Sequence, residues 1–190
     1  LGWRTPDHVV VPVASGSQLT KIDKGFAELW KVGLLSERPE VRVSGAQASG
    51  CSPVATAFRD GTDFVKPVKP NTIAKSLAIG NPADGPYALD VVRRTGGGFG
   101  SVTDDEVIDG MRLLARCEGI FAETAGGVTI ATLVQLVNAG VVRPDETVVA
   151  YVTGLGLKTI DAIAPTSSVS ATISPTLSAF DSSGLTLARR

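Results

Sequence analysis

The chain has 190 residues, which is enough for one sizeable hydrophobic core. Its 18 basic and 19 acidic residues give a formal net charge of −1, so no strong field favours nucleic acid or an anionic membrane surface as a partner. Gly, Pro or charged residues interrupt every apolar run well before the roughly 20 residues that a membrane-spanning helix needs. The composition therefore predicts a globular protein that binds neither nucleic acid nor a membrane.

Two cysteines and one histidine are the residues most often recruited for metal binding or nucleophilic catalysis. Cys51 and Cys117 lie in predicted helices and have no metal-ligand spacing, so we expect reduced thiols that fill the core, a cytoplasmic location and no metal site. His8 has no Asp or Cys motif beside it, and we expect it to be structural.

The first predicted element is a buried strand followed by a small polar loop. The β-branched run Val9–Val13 suits a strand buried on both faces, and Ala14–Gln18 leads into a helix at Ser17–Val32 that Gly33 ends. Small residues at such a turn let backbone N–H groups and the positive helix end approach a phosphate. A tight strand-to-helix turn requires the same residue types, so a structural turn and a phosphate-binding loop both remain open.

The middle of the chain alternates further strands and helices. The predicted elements are a strand at Glu40–Gln47, a short helix that Ser52 and Pro53 begin and that ends near Gly61, a short helix capped by Asn71 and ending at Ala78, a helix at Tyr87–Thr95, and a strand at Phe99–Val102. Residues Thr62–Pro70 form a connection. The loop Ile79–Pro86 is either a sharp reversal or a ligand-facing loop.

A capping box predicts the start of a long helix after this strand. Thr103 and Glu106 have the required spacing, and the acidic residues Asp104 and Asp105 suit the positive end of a helix better than paired-carboxylate catalysis. The remaining predicted elements are a brief strand at Ile120–Glu123, an apolar helix from Thr124–Gly127 to about Val137, a strand at Glu146–Val152, a glycine-bearing turn at Thr153–Lys158, and a polar tail after Ile163 anchored by Ile173, Leu177 and Phe180.

The alternation of strands and helices predicts an α/β fold with three layers, in which helices cover both faces of a mostly parallel sheet. In such sheets, ligands bind beyond the carboxyl ends of the strands. We therefore expect Ala14–Gln18, Glu123–Gly127 and Thr153–Gly156 to lie close together at one edge of the sheet.

Five segments resemble, in order, those of threonine synthase. This family belongs to the fold type II group of pyridoxal-phosphate enzymes, with tryptophan synthase β and serine/threonine dehydratase. The segments are Val11-Pro12-Val13-Ala14-Ser15-Gly16-Ser17-Gln18-Leu19-Thr20-Lys21, Gly50-Cys51-Ser52-Pro53, Ile73-Ala74-Lys75-Ser76-Leu77-Ala78-Ile79-Gly80-Asn81-Pro82, Glu118-Gly119-Ile120-Phe121-Ala122-Glu123-Thr124-Ala125-Gly126-Gly127 and Thr153-Gly154-Leu155-Gly156-Leu157-Lys158.

The resemblance implies pyridoxal 5′-phosphate as cofactor. The residues it implies for the phosphate are Ala14, Ser15, Gly16, Ser17 and Gln18, and those near the cofactor ring are Gly80, Asn81, Glu123 and Thr153. In the family, the hydroxyl at the position of Thr153 faces the pyridine nitrogen, and a neutral hydroxyl does not hold a proton there. Thr153 as a simple strand-end cap is the alternative.

The resemblance also implies a reaction and a relation to a longer enzyme. The reaction converts O-phosphohomoserine and water to threonine and phosphate, in amino-acid biosynthesis, and the family is usually homodimeric. Its Schiff-base lysine, in a Ser-x-Lys-Asp-like setting, precedes the phosphate loop. We therefore expect residues 1–163 to be most of the large domain and 164–190 an extension. The segment with the lysine and the small domain would lie outside this chain, which alone would be inactive.

Three rival interpretations remain at this stage. A threonine or serine dehydratase of the same group would share the fold and the phosphate loop. A non-catalytic module could keep the loop for another phosphorylated ligand, although Ala14–Gln18 lacks both Gly-x-Gly-x-x-Gly and the Lys-Ser/Thr of a P-loop. A structural remnant would bind nothing.

Overall fold

A computed structural model describes residues 4–164 and 171–184. The strands are β1 (His8–Pro12), β2 (Arg42–Ala48), β3 (Phe99–Val102) and β4 (Val148–Ala150). The α-helices are α1 (Ser17–Lys31), α2 (Pro53–Arg59), α3 (Gly85–Arg94), α4 (Asp104–Glu118), α5 (Thr124–Asn138) and α6 (Leu177–Ser182), and short 3₁₀ segments occupy Ser49–Cys51, Lys75–Leu77 and Gly156–Ala162.

The four strands form a parallel sheet in the order β3-β2-β1-β4. The central strand β1 pairs on both sides, with Val9 opposite Val43 in β2 and Val149 in β4. Because the strands are parallel, the loops that follow β1 and β4 meet at one edge, as the sequence predicts.

Alternate side chains of β1 enter two cores, one on each face of the sheet. Val9 and Val11 are fully buried with Leu19 of α1 and Leu89 of α3. Val10 is buried on the opposite face among side chains of α4 and α5, such as Met111 and Val128. The predicted three-layer α/β architecture is confirmed.

The capping box at the start of α4 is confirmed in detail. The Thr103 hydroxyl accepts a hydrogen bond from Glu106 N at 3.3 Å, and the Glu106 carboxylate accepts one from Thr103 N at 2.7 Å. This backbone hydrogen bond is the largest cause of the lowered pKa of Glu106. Asp104 also accepts hydrogen bonds from the Thr72 hydroxyl at 2.5 Å and Ile73 N at 3.1 Å, so it fixes a neighbouring loop.

The predicted helix at Asn71–Ala78 is wrong, since only the single turn Lys75–Leu77 forms there. The backbone N–H groups of this segment have other acceptors. Asn71 N donates to Gly50 O at 2.8 Å, and Ile73 N donates to the Asp104 carboxylate at 3.1 Å. The predicted strand at Ile120–Glu123 is also wrong, because only one antiparallel bridge forms, between Ala122 and Leu155.

Ser52 occupies the N-cap position of α2 and Pro53 its first turn, as predicted, but the Ser52 side chain makes no capping hydrogen bond. Its hydroxyl donates to Ser49 O, whereas the fully buried Gln47 supplies the cap from β2. Gln47 Oε1 accepts hydrogen bonds from Val54 N at 3.0 Å and Ala55 N at 2.9 Å.

Two predictions of burial fail. Cys51 is buried, which raises the pKa of its thiol, but Cys117 is exposed on α4 and does not fill the core. In the tail, Ile173, Leu177 and Phe180 are all exposed, so they do not anchor it in the described structure. Residues 165–170 and 185–190 of that tail lie outside the described residues.

The apolar helix α5 packs against α4 and the sheet and has the predicted bounds to within one residue. Within residues 4–164 and 171–184, no helix is long and apolar enough to cross a lipid bilayer.

Candidate functional site

A cavity of about 180 Å³ lies where the chain leaves the carboxyl ends of β1 and β4. The residues that line it are Pro12, Ala14, Ser15, Gly16, Gln18, Ser76, Leu77, Glu123, Ala125 and Thr153. These belong to loops that are distant in sequence. The prediction that the three loops meet at one edge of the sheet is therefore confirmed.

The loop after β1 has the geometry of an anion-binding turn. Gly16 precedes α1 with φ of 97°, and a Cβ there would lie 2.6 Å from Asp84 O, so the turn requires glycine. Ser15 O accepts a hydrogen bond from Asp84 N at 2.8 Å, which holds the turn in place. The first turn of α1 contains no acidic residue, and its N-cap residue Gly16 has no side chain to cap it. Its N–H groups and positive dipole end therefore favour an anion.

The opposite side of the cavity contains a buried carboxylate, Glu123, whose side chain is 4% exposed. Its Oε2 lies 2.8 Å from the Nζ of Lys158, and its Oε1 accepts a hydrogen bond from the Thr153 hydroxyl at 3.4 Å. The Lys158 side chain is 62% exposed. A buried carboxylate is costly unless it is paired, so the Lys158 ammonium explains why Glu123 can lie here.

One buried polar atom at this edge, the hydroxyl oxygen of Thr124, has no hydrogen-bond partner within the described part of the chain, whereas Glu123 Oε2 has the Lys158 ammonium at 2.8 Å. Buried polar atoms without partners are rare and require an explanation. An anion-binding helix end on one side and polar groups on the other fit pyridoxal phosphate, which carries a phosphate at one end and polar substituents around its ring.

Most of the residues predicted for the cofactor line this cavity: Ala14, Ser15, Gly16, Gln18, Glu123 and Thr153. Ser17, the first residue of α1, does not line the cavity, and its N–H donates a hydrogen bond to the Ser15 hydroxyl at 3.3 Å. The other two, Gly80 and Asn81, do not line the cavity. Gly80 O instead accepts a hydrogen bond from Val68 N, and Asn81 is exposed.

The residues predicted for the cofactor omit four that line the cavity, Pro12, Ser76, Leu77 and Ala125, as well as Lys158 beside it. Ser76 and Leu77 line the cavity and lie in the same segment, Ile73–Pro82, as the predicted Gly80 and Asn81. Lys158 ends the last glycine-bearing motif, but its contact with Glu123 depends on how the two loops fold.

His8 belongs to a separate, buried cluster at the amino end of β1. Its Nε2 forms a hydrogen bond with the Ser44 hydroxyl at 2.7 Å, and the same oxygen accepts one from Gly98 N at 2.9 Å. Its Nδ1 lies 3.6 Å from Glu146 Oε2. Burial and the nearby Arg42 lower the pKa of His8, so it stays neutral. Ser44 is fully buried and no substrate can reach it, and His8 has the structural position that the sequence predicts.

Known proteins resemble this chain in sequence over most of its length. A threonine synthase of Methanocaldococcus jannaschii is 42% identical over 163 residues, which cover 85% of this chain and 40% of that protein. A threonine synthase of Methanosarcina acetivorans is 39% identical over 159 residues, covering 83% of this chain and 39% of that protein. The chain thus spans about 40% of the length of these relatives.

Solved structures resemble it in fold. An L-serine ammonia-lyase from the fungus Rhizomucor miehei matches with a TM-score of 0.63 at 21% identity, covering 85% of this chain and 50% of that chain. Maize serine racemase matches with a TM-score of 0.58 at 20% identity, covering 80% of this chain and 43% of that chain. The sequence pattern of the family described as "Pyridoxal-phosphate dependent enzyme" matches residues 1–154. The chain therefore belongs to the pyridoxal-phosphate dependent enzyme family.

Proposed function

We propose that this chain forms most of the cofactor-binding domain of a threonine synthase, a lyase that converts O-phosphohomoserine and water to L-threonine and phosphate. The observation that carries the proposal is the cavity where three loops meet, because those loops contain the segments that resemble threonine synthase. The relatives named threonine synthase, at 42% and 39% identity, support the same activity.

Each side of the cavity would have its own part in cofactor binding. Ala14, Ser15, Gly16, Ser17 and Gln18 would bind the phosphate through backbone N–H groups at the start of α1. Glu123 and Thr153 would face the polar part of the ring, and Leu77 and Ala125 would exclude water beside it. Gly80 and Asn81, which follow in the same segment, would hold Ser76 and Leu77 in position beside the cofactor.

Pyridoxal phosphate, when bound, supplies an electron sink for bonds broken next to the substrate amine. The residues of this chain would bind and orient it and would keep the site dry. Among the residues described, those lining the cavity include no lysine, and Lys158 at its margin is paired with Glu123. We therefore place the Schiff-base lysine outside these 190 residues, in the segment that would complete the enzyme as its partner.

The remaining features of the enzyme follow from the same proposal. Both cysteines are free thiols, which supports a reducing, cytoplasmic environment. A homodimer is proposed from the resemblance alone.

A chimera tests the activity. The amino-terminal part of the Methanocaldococcus jannaschii threonine synthase, up to the point where this chain aligns, is joined to residues 1–190. With pyridoxal phosphate and O-phosphohomoserine, we expect equal amounts of threonine and phosphate. With L-threonine as substrate, a dehydratase would instead give 2-oxobutyrate and ammonia. Formation of those products without phosphate release from O-phosphohomoserine would contradict the proposal.

Two controls accompany the chimera. The 190-residue chain alone should release no phosphate from O-phosphohomoserine above a boiled control, and any release would show that the essential lysine lies within it. Gly16→Ala in the chimera should abolish activity because it displaces the phosphate loop, whereas Gly25→Ala, inside α1 with open space around it, should not.

A further inference from the structure

We propose that Asp104 is a positioning residue for cofactor binding, because its carboxylate holds in place the segment 72–77 that forms one wall of the cavity. Asp104 itself does not line the cavity and acts through Ser76 and Leu77, which do. The inference rests on the proposed function and deepens it. It concerns a residue that none of the five segments resembling threonine synthase contains.

The first step is the hydrogen bonding of the Asp104 carboxylate at the start of α4. Oδ1 accepts a hydrogen bond from the Thr72 hydroxyl at 2.5 Å, and Oδ2 accepts one from Ile73 N at 3.1 Å. The Thr72 oxygen in turn accepts a hydrogen bond from Ala74 N at 3.1 Å, so its own proton is directed to the carboxylate. Thr72 is 4% exposed, and water therefore competes little for its hydroxyl.

The second step is the path from these bonds to the cavity. Lys75 N donates a hydrogen bond to Ile73 O at 2.8 Å, and Leu77 N donates one to Ala74 O at 2.9 Å. The backbone between the Asp104 contacts and the cavity is thus a compact turn. Ala74 and Leu77 are buried in the core that α4 and α5 form with the sheet. Ser76 and Leu77 at the end of this turn line the cavity, so a shift of its beginning displaces that wall.

The third step is that no other contact replaces Asp104. Among the described residues, its two hydrogen bonds are the only ones that join 72–77 to a distant part of the chain. Asp104 is not needed to begin α4, because Thr103 and Glu106 supply the capping box there. The contact with the segment and the start of the helix therefore have separate causes, and mutation can separate them.

The test uses 4′-deoxypyridoxine 5′-phosphate, which keeps the phosphate and the ring of the cofactor but lacks the aldehyde, so its binding needs no lysine. Its dissociation constant from the full 190-residue chain is measured at neutral pH by absorption titration. The variant is Asp104→Ala, and the control is Asp105→Ala, which removes an exposed acidic residue from the same first turn of α4. Both substitutions remove one negative charge at the positive end of the helix, and only Asp104→Ala removes the contacts with the segment.

We expect Asp104→Ala to raise the dissociation constant about tenfold, the size of one lost hydrogen bond to a charged group, and Asp105→Ala to leave it unchanged. Loss of a negative charge alone would strengthen the binding of an anionic compound, so the expected change has the opposite sign to a charge effect. Asp104→Asn should restore most of the affinity, because its amide can accept from Ile73 N and donate to the Thr72 hydroxyl.

Inorganic phosphate provides a second readout that a general disturbance of the fold would move. It would bind only at the start of α1, on the other side of the cavity, and the backbone amide signals of Gly16 and Ser17 in NMR spectra follow its binding. We expect its affinity to be the same in Asp104→Ala as in the unaltered chain. Weaker binding of both ligands by the same factor would overturn the inference.

The remaining outcomes also decide the question. If Asp104→Ala does not fold by circular dichroism, Thr72→Val removes the same hydroxyl contact and should raise the dissociation constant in its place. An unchanged dissociation constant in the folded variant, or an equal loss of affinity in Asp105→Ala or Asp104→Asn, would overturn the inference but leave the proposed function standing. Failure of the unaltered chain to bind the compound would overturn both.

Discussion

Gly16→Ala is the substitution that most directly perturbs the proposed phosphate loop. Gly16 has φ of 97°, where an alanine costs about 1–2 kcal/mol relative to its favoured conformations. The new Cβ would also lie 2.6 Å from Asp84 O and 2.8 Å from Asp84 C, both backbone atoms. Relieving that overlap moves the backbone and costs about 1–3 kcal/mol more. The two effects together destabilise the fold by about 3 kcal/mol.

Gly25→Ala, inside the helix that follows Gly16, is the matched control. Gly25 lies inside α1 with no atom within 4 Å of an added Cβ, so alanine should stabilise the helix by about 0.5–1 kcal/mol. The two substitutions are chemically identical and differ only in backbone conformation and surroundings.

Thermal unfolding followed by circular dichroism measures both effects. At about 2–4 °C per kcal/mol for a chain of this size, Gly16→Ala should lower the melting temperature by roughly 6–12 °C, and Gly25→Ala should raise it slightly. Equal melting temperatures for Gly16→Ala and the unaltered chain would refute the assigned loop geometry.

Three further predictions concern buried polar groups, a helix cap and pH. Gln47→Leu leaves the N–H groups of Val54 and Ala55 without an acceptor and should cost about 3 kcal/mol in urea unfolding; a loss below 1 kcal/mol would contradict the assigned cap. Thr103→Ala removes the side-chain cap of α4 and should cost about 1 kcal/mol, whereas no change in the urea midpoint would show that the cap contributes nothing. Because burial lowers the pKa of His8 below its ordinary 6.5, the unfolded chain binds the proton more readily. The free energy of unfolding should therefore be highest above pH 6.5 and should fall as the pH decreases below that value. His8→Asn removes the only histidine of the sequence and should abolish this fall near pH 6. If the variant keeps the same pH dependence, another group causes it.

The sequence predicts the fold well where local pattern and tertiary structure agree. The β-branched run at Val9–Val13 and the capping box at Thr103 and Glu106 each specify an element by themselves. The alternation of such elements then places the three loops at one edge of the sheet, which is why most of the cavity is predicted as well.

The errors occur where distant parts of the chain compete with local pattern. The predicted helix after Asn71 is lost because Asp104 and Gly50 bind its backbone groups. Gln47 replaces Ser52 as the cap of α2 because a neighbouring strand carries it there. The pairing of Glu123 with Lys158 likewise requires both loops to be folded, and no local pattern shows it.

The most direct measurement of the central claim is a crystal structure of the 190-residue chain with 4′-deoxypyridoxine 5′-phosphate. The account predicts the phosphate at the N–H groups of residues 14–18 and the ring between Leu77 and Ala125, with its nitrogen toward Thr153. A phosphate bound instead in the larger cavity at the amino ends of the strands, among Arg38, Arg94 and Arg143, would contradict it.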